Sequence, residues 1–237
     1  MIRLILGKMG SGKTASVVRE MCLNIDDKIT YSNIIIKNNK KYPFIKQIER
    51  DMIITKDKTF NKEYWIELAK ENKAINVVLD EAHTLIDSRR FMSKENKIMM
   101  DFIALLRRVL GDSGDGYGEL ILITQLGRRL DIISRELATN VQYHICHYNM
   151  QCLNCSCVYK ENNESKEKIK FCIKCGGRKF KRYNFVIEKF EFENCDDLNY
   201  WINTREKSYF KHYYIMDIEK YFPFYNTHQW ENLISEY

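Results

Sequence analysis

The residues Gly7, Lys8, Met9, Gly10, Ser11, Gly12, Lys13 and Thr14 follow the spacing GxxxxGK[ST], a pattern suited to holding phosphates. Gly10 and Gly12 permit the backbone turn that aims successive N–H groups, and the start of the next helix, at an anion. Lys13 would neutralise charge on the β- and γ-phosphates, and Thr14 would offer its hydroxyl to magnesium. Farther on, Asp80 and Glu81 close the apolar run Ile75 to Leu79. An aspartate so placed can reach the same ion through water, which leaves Glu81 as the candidate to orient or activate the attacking water. Gln125 closes a second apolar run, Leu120 to Thr124, where it would sense the γ-phosphate, polarise water, or simply cap the strand. His83 either supports the acidic pair or begins the following turn. Glycines alone can make a turn that binds no nucleotide. The strand before them, the helix after them and the later acidic pair point instead to magnesium-assisted hydrolysis of a nucleoside triphosphate, with ATP and Mg2+ as the bound species.

A second constellation is Cys152-x2-Cys155 and Cys172-x2-Cys175, separated by sixteen residues. That spacing suits a four-cysteine zinc site, and Gly176 and Gly177 supply the small residues that a knuckle turning its amides toward sulfur requires. Cys157 is an extra thiol that could replace Cys155, and Cys146 reads as buried packing. Four thiolates leave no open position for water, so the expected role of Zn2+ is to fold a short polar segment. Around it stand Lys168, Lys170, Lys174, Arg178, Lys179, Lys181 and Arg182, interleaved with Phe171, Phe180 and Tyr183. They form either a contact for nucleic-acid phosphates or a solvated face diluted by Glu161, Glu164 and Glu167.

These groups need elements to hold them. Ile2 to Leu6 reads as a strand and Lys13 to Cys22 as a helix, the opening βα unit. Ile29 to Ile36 and Met52 to Thr55 read as strands, and Lys62 to Lys70 as a helix. Ile75 to Leu79 and Leu120 to Thr124 are continuous apolar runs suited to parallel strands buried on both faces. Ile98 to Leu110 has helical periodicity, Gly111 to Gly118 is a loop, and Val141 to Tyr148 and Tyr183 to Phe192 are strands flanking the cysteine segment. The aromatic-rich tail to Tyr237 reads as helical. The expected fold is α/β, with a mostly parallel sheet flanked by helices over residues 1–150, a zinc-ribbon insertion at 151–182, and a returning strand with a helical part at 183–237.

With 45% apolar and 13% aromatic residues and only two prolines among 237, the chain is not disordered and is long enough for one domain with a small appendage. No run approaches the roughly 20 apolar residues of a membrane helix, and the N-terminus enters a strand rather than a signal peptide, so a cytoplasmic protein with reduced thiols is expected. The net charge of +6 suits phosphate partners but does not require them.

The segments VVLDEAHTLIDSRR, LILITQ and RELATNVQYHICHY, with Arg107-Arg108 on a helix, Arg128-Arg129 after Gln125 and YSNI from Tyr31, resemble the Zot-like ATPases of filamentous phages. These are similar in turn to the FtsK/HerA-type DNA-packaging ATPases, and the resemblance covers roughly residues 1 to 150. It implies a P-loop ATPase that moves double-stranded DNA, as a homo-oligomeric ring with a virion or portal protein as a further partner. It also implies an arginine finger, for which Arg107 or Arg108 is favoured over Arg128 and Arg129. Two departures stand out: no membrane helix follows the ATPase part, and the Gly111 to Gly118 loop is longer than the family's usual connection. The competing readings are a Zot-type assembly ATPase acting through protein partners at a membrane, and a nucleotide-gated scaffold that barely turns over. The Asp80-Glu81 pair argues against the scaffold, since pure binding needs no water-activating carboxylate.

Overall fold

Short apolar runs become the centre of a nine-stranded sheet. The computed structural model describes residues 1–24, 28–37, 39–71, 75–82, 94–110, 118–125, 135–165 and 167–230. Its strands are β1 (Ile2–Leu6), β2 (Ile29–Ser32), β3 (Ile34–Ile36), β4 (Ile45–Gln47), β5 (Ile75–Leu79), β6 (Leu120–Ile123), β7 (Asn140–Cys152), β8 (Val158–Asn162), β9 (Phe180–Phe192), β10 (Lys211–Ile215) and β11 (Tyr225–Trp230). The sheet order is β10-β9-β7-β1-β6-β5-β2-β4. From β7 to β4 every neighbour is parallel. β9 and β10 add an antiparallel extension. All four residues of β6 are buried, as both-face covering demands.

Helices α3 (Lys62–Glu71), α4 (Lys94–Leu110) and α5 (Cys195–Thr204) cover one face, where Trp65, Phe102 and Trp201 enter the larger core. Helix α1 (Lys13–Leu23) and a 3-10 segment (Ile218–Phe224) cover the other, through Val17, Val18 and Ile218 against Ile5, Ile123 and Ile187. A further helical turn, α2, spans Arg50–Ile53. No helix of the described residues is long and apolar enough to cross a membrane.

The long β7 outruns β1. Arg3 to Leu6 pair with Asn140 to Tyr143, and beyond them β8 takes up the same edge at His147 to Gln151 while β9 follows the other edge to Cys152. The cysteine segment therefore leaves from the tip of an arm that rises past the glycine loop.

Three sequence expectations are corrected. Ile29 to Ile36 is two strands in different sheets: at Ser32 the side-chain oxygen accepts from the Ile34 amide at 3.0 Å, and the chain turns at Asn33. Met52 to Thr55 is not a strand, because Met52 and Ile53 complete α2, whose carbonyls take the Trp65 indole (2.7 Å) and the Asn61 amide (2.8 Å). The tail is not helical throughout. After α5 it forms β10, the 3-10 segment and β11, which pairs with β3.

Candidate functional site

The glycine loop is already shaped for an anion. Gly10 and Gly12 sit at φ +76° and +80°, the left-handed region that side-chain-bearing residues avoid, and a Cβ on Gly12 would lie 2.5 Å from Ile187 Cδ1. Gly12 caps α1 with no side-chain hydrogen bond, and no acidic residue occupies the first turn, so no side chain of the helix itself offsets its positive end at the loop. Lys13 is buried and folds back, its Nζ donating to the Gly7 carbonyl at 2.9 Å and the Lys8 carbonyl at 3.2 Å. Burial pushes its pKa down to about 8, opposed by Asp80 and Glu81. A phosphate would relieve that penalty.

The acidic pair stands opposite, at the end of β5. Thr14 Oγ1 donates to Asp80 Oδ2 at 2.8 Å, and the Glu81 amide donates to Asp80 Oδ1 at 2.8 Å. Burial raises the Asp80 carboxyl to about 6 despite both bonds. A hydroxyl beside a desolvated carboxylate is a hard oxygen donor set, and it fits a small ion that keeps much of its water, as magnesium does. Glu81 itself holds φ +50°, a left-handed backbone in a residue other than glycine. Its Oε1 accepts from Gln125 Nε2 at 2.9 Å, so the ends of β5 and β6 are linked through these two side chains.

Asn33 was not singled out by sequence reading. Buried where β2 ends, it accepts from the Asp80 amide at 2.7 Å and donates to the Asp80 carbonyl at 3.0 Å. This two-point clip fixes the backbone that carries the acidic pair. The only sequence signal was the YSN string, a polar residue interrupting an apolar run.

A cleft of about 870 Å³ joins the glycine loop, Asp80, Glu81 and Gln125 to Tyr148, Asn163, Lys168, Arg182, Phe185 and Phe222. Lys168 and Arg182, which the sequence groups with the cysteine segment, thus line the same cleft as the glycine loop. Lys170, Lys174, Arg178, Lys179 and Lys181 are exposed, with Phe171 and Ile173 among them.

Cys152, Cys155, Cys172 and Cys175 bring their sulfurs within 4.8 Å of one another. The separations of 3.6 Å (Cys152 to Cys175) and 3.4 Å (Cys155 to Cys172) are far from the ~2.05 Å of a disulfide and near the ~3.8 Å edge of a tetrahedron with 2.3 Å zinc–sulfur bonds. The Tyr159 hydroxyl, 3.1 Å from Cys172 Sγ, leads the interactions that hold this thiol below its usual pKa. The set therefore fits zinc. Cys157 stands outside the cluster and contributes its carbonyl to the Cys152 amide at 2.9 Å.

Arg107 and Arg108 lie near the C-terminal end of α4, with their side chains outside the described residues. His83, Arg128, Arg129 and residues 111–117 of the glycine-rich loop also lie outside them.

Residues 1–152 match the family model described as zonular occludens toxin (Zot). The chain belongs to the Zot family. The N-terminal domain of zonular occludens toxin from Neisseria meningitidis is similar in structure at 20% identity and a TM-score of 0.50, covering 95% of this chain and 98% of that one. Its coverage extends the likeness past residue 152 into the arm and the tail of this Zot-family chain. A more distant likeness is the genome packaging NTPase B204 of Sulfolobus turreted icosahedral virus 2 bound to ATP-gammaS, at 13% identity, 60% of this chain, 74% of that one and a TM-score of 0.42. No curated protein sequence matches the chain. The fold is α/β with a largely parallel central sheet flanked by helices, and the glycine loop joins β1 to α1, as the sequence leads one to expect.

Proposed function

We propose that this chain is a magnesium-dependent ATPase of virus or phage assembly whose hydrolysis drives double-stranded DNA. The observation that carries the reading is the convergence of Lys13, Thr14, Asp80, Glu81 and Gln125 at one end of a single cleft. In this reading the loop amides and Lys13 take the phosphates, with Lys13 exchanging its carbonyl partners for the β- and γ-oxygens. Magnesium, held by Thr14 and by Asp80 through water, would supply charge neutralisation at those oxygens. Glu81, held by Gln125, orients the attacking water and receives its proton. Arg107 or Arg108 of a neighbouring copy in a ring supplies the cation at the γ-phosphate. Zinc on the four cysteines folds the tip of the arm, whose exposed lysines and arginines are suited to DNA phosphates or a portal protein. The protein works in the host cytoplasm or on the virion.

Membership of the Zot family favours a second reading, an assembly ATPase acting through protein partners at a membrane. The deciding experiment is ATP turnover by purified protein with and without duplex DNA. Stimulation of several-fold or more supports the motor. Robust turnover indifferent to DNA moves the assignment to the membrane-assembly reading, and no turnover in either condition would sink the ATPase assignment itself.

A further inference from the structure

The cleft is larger than its phosphate end requires, and its other half is aromatic. Asp80, Glu81 and Gln125 follow the ends of β5 and β6 on one side of β1, whereas Tyr148 and Phe185 belong to β7 and β9 on the other. Phe222 approaches from the 3-10 segment across α1, with its ring centroid 5.4 Å from Phe185, and Phe185 lies 5.7 Å from Tyr148. A β-bulge sets this wall. Opposite Tyr148 the ladder jumps from Val186 to Tyr183, so Asn184 and Phe185 face one residue, with Asn184 at φ +55°. Without the extra residue the two-residue period would carry Tyr183 onto the face shared by Ile187 and Phe185. With it, Arg182 lines the cleft instead, its guanidinium 4.8 Å from the centre of the Tyr148 ring.

The wall carries a polar donor as well. Tyr148 is buried and its hydroxyl donates to Glu161 at 2.9 Å. Asn163 accepts from the Cys146 amide at 2.8 Å and leaves its buried Nδ2 without a hydrogen-bond partner among the described residues. Aromatic faces, a guanidinium and an amide donor beside a phosphate loop are the chemistry that recognises a nucleobase and its ribose.

We propose that Tyr148, Phe185, Phe222 and Arg182 form the subsite for the base and ribose of the nucleotide, so that the arm bearing the cysteines reads the base while the glycine loop holds the phosphates. The proposal rests on the nucleotide reading above. Recognition here is by ring faces rather than by base edges, so purine triphosphates bind better than pyrimidine ones, and ATP and GTP differ little.

Calorimetric binding of ATPγS and of base-free tripolyphosphate, both with magnesium, tests it. Phe222 and Arg182 are exposed enough for replacement without loss of the fold. Phe222→Ala and Arg182→Ala should each weaken ATPγS binding by roughly tenfold, as loss of one stacking partner does, leave tripolyphosphate within about twofold, and retain the thermal midpoint. Phe222→Trp should restore ATPγS affinity, which a merely structural role would not predict. If ATPγS binds in a Lys13-dependent way but neither alanine variant weakens it, the subsite is wrong while the nucleotide reading stands. Equal loss of tripolyphosphate would make these residues phosphate ligands and overturn the base assignment. Failure of wild-type protein to bind either probe would end both.

Discussion

At the scale of single residues, the proposed mechanism gives Lys13 and Glu81 separable tasks, and their replacement should divide binding from chemistry. Lys13→Ala removes the buried cation of the loop and should lower ATP binding or turnover by a hundredfold or more, as seen in equilibrium binding and steady-state hydrolysis. Wild-type rates in that variant would remove the loop from the mechanism. Glu81→Gln keeps the shape and can still pair with Gln125, but it loses the base. Turnover should therefore fall by about 10² to 10⁴ while ATP stays bound, measured as nucleotide retained after rapid desalting. Unchanged turnover would pass the water-positioning role to Gln125. The two positions were legible because Lys13 stands in the GxxxxGK[ST] spacing and Glu81 follows the end of an apolar strand. Asn33 was not, since its work is to clip the Asp80 backbone, and an asparagine in that role leaves no spacing to recognise.

At the scale of elements, α1 is tied to the sheet by buried charge as well as by packing. Glu20 takes Arg3 at 2.7 Å and Lys189 at 3.2 Å, and Arg3 also takes Glu119 at 2.6 Å. Burial alone would raise the Glu20 pKa, but its two cations hold it below the ordinary value of 4.5. Its stabilisation is therefore complete above pH 4.5 and is lost as pH falls through the lower folded value. Glu20→Gln leaves two buried cations short of a partner and should cost about 3 kcal/mol at neutral pH, read from urea midpoints, with the gap to wild type closing in acid. A gap that persists unchanged in acid would assign the loss to packing. Strands filled with apolar residues, such as β5 and β6, could be read directly from the sequence. The three-residue β4 offers only Ile45 as an apolar anchor, too little for a period, and α2 was mistaken for a strand because what decides it is distant, the indole of Trp65 on the Met52 carbonyl. The bulge at Asn184 hid for a similar reason: alternation through β9 reads as unbroken until the pairing with β7 is known.

At the scale of the whole molecule, the cysteine arm and the proposed nucleotide cleft share residues and should share energetics. Protein purified under reducing conditions should carry about one zinc per chain. Its removal by a chelator should loosen the root that holds Tyr148, Asn163 and Arg182, weakening ATPγS several-fold more than tripolyphosphate. Equal affinity for ATPγS before and after metal loss would uncouple arm from cleft. For the ring, an Arg107→Ala/Arg108→Ala chain mixed with a Lys13→Ala chain should regain part of the turnover each lacks, because some interfaces then unite an intact loop with an intact arginine. No gain in a mixture shown to co-assemble would exclude both residues as fingers acting between copies. The sheet order adds a matter of timing. The glycine loop leaves the ribosome before Phe222 and Tyr225, which line the same cleft, and before β11, which pairs with β3. A growing chain would present a phosphate loop with no lid over it. If the base subsite is as proposed, affinity for a complete nucleotide should arise only once this later segment has folded back onto the loop.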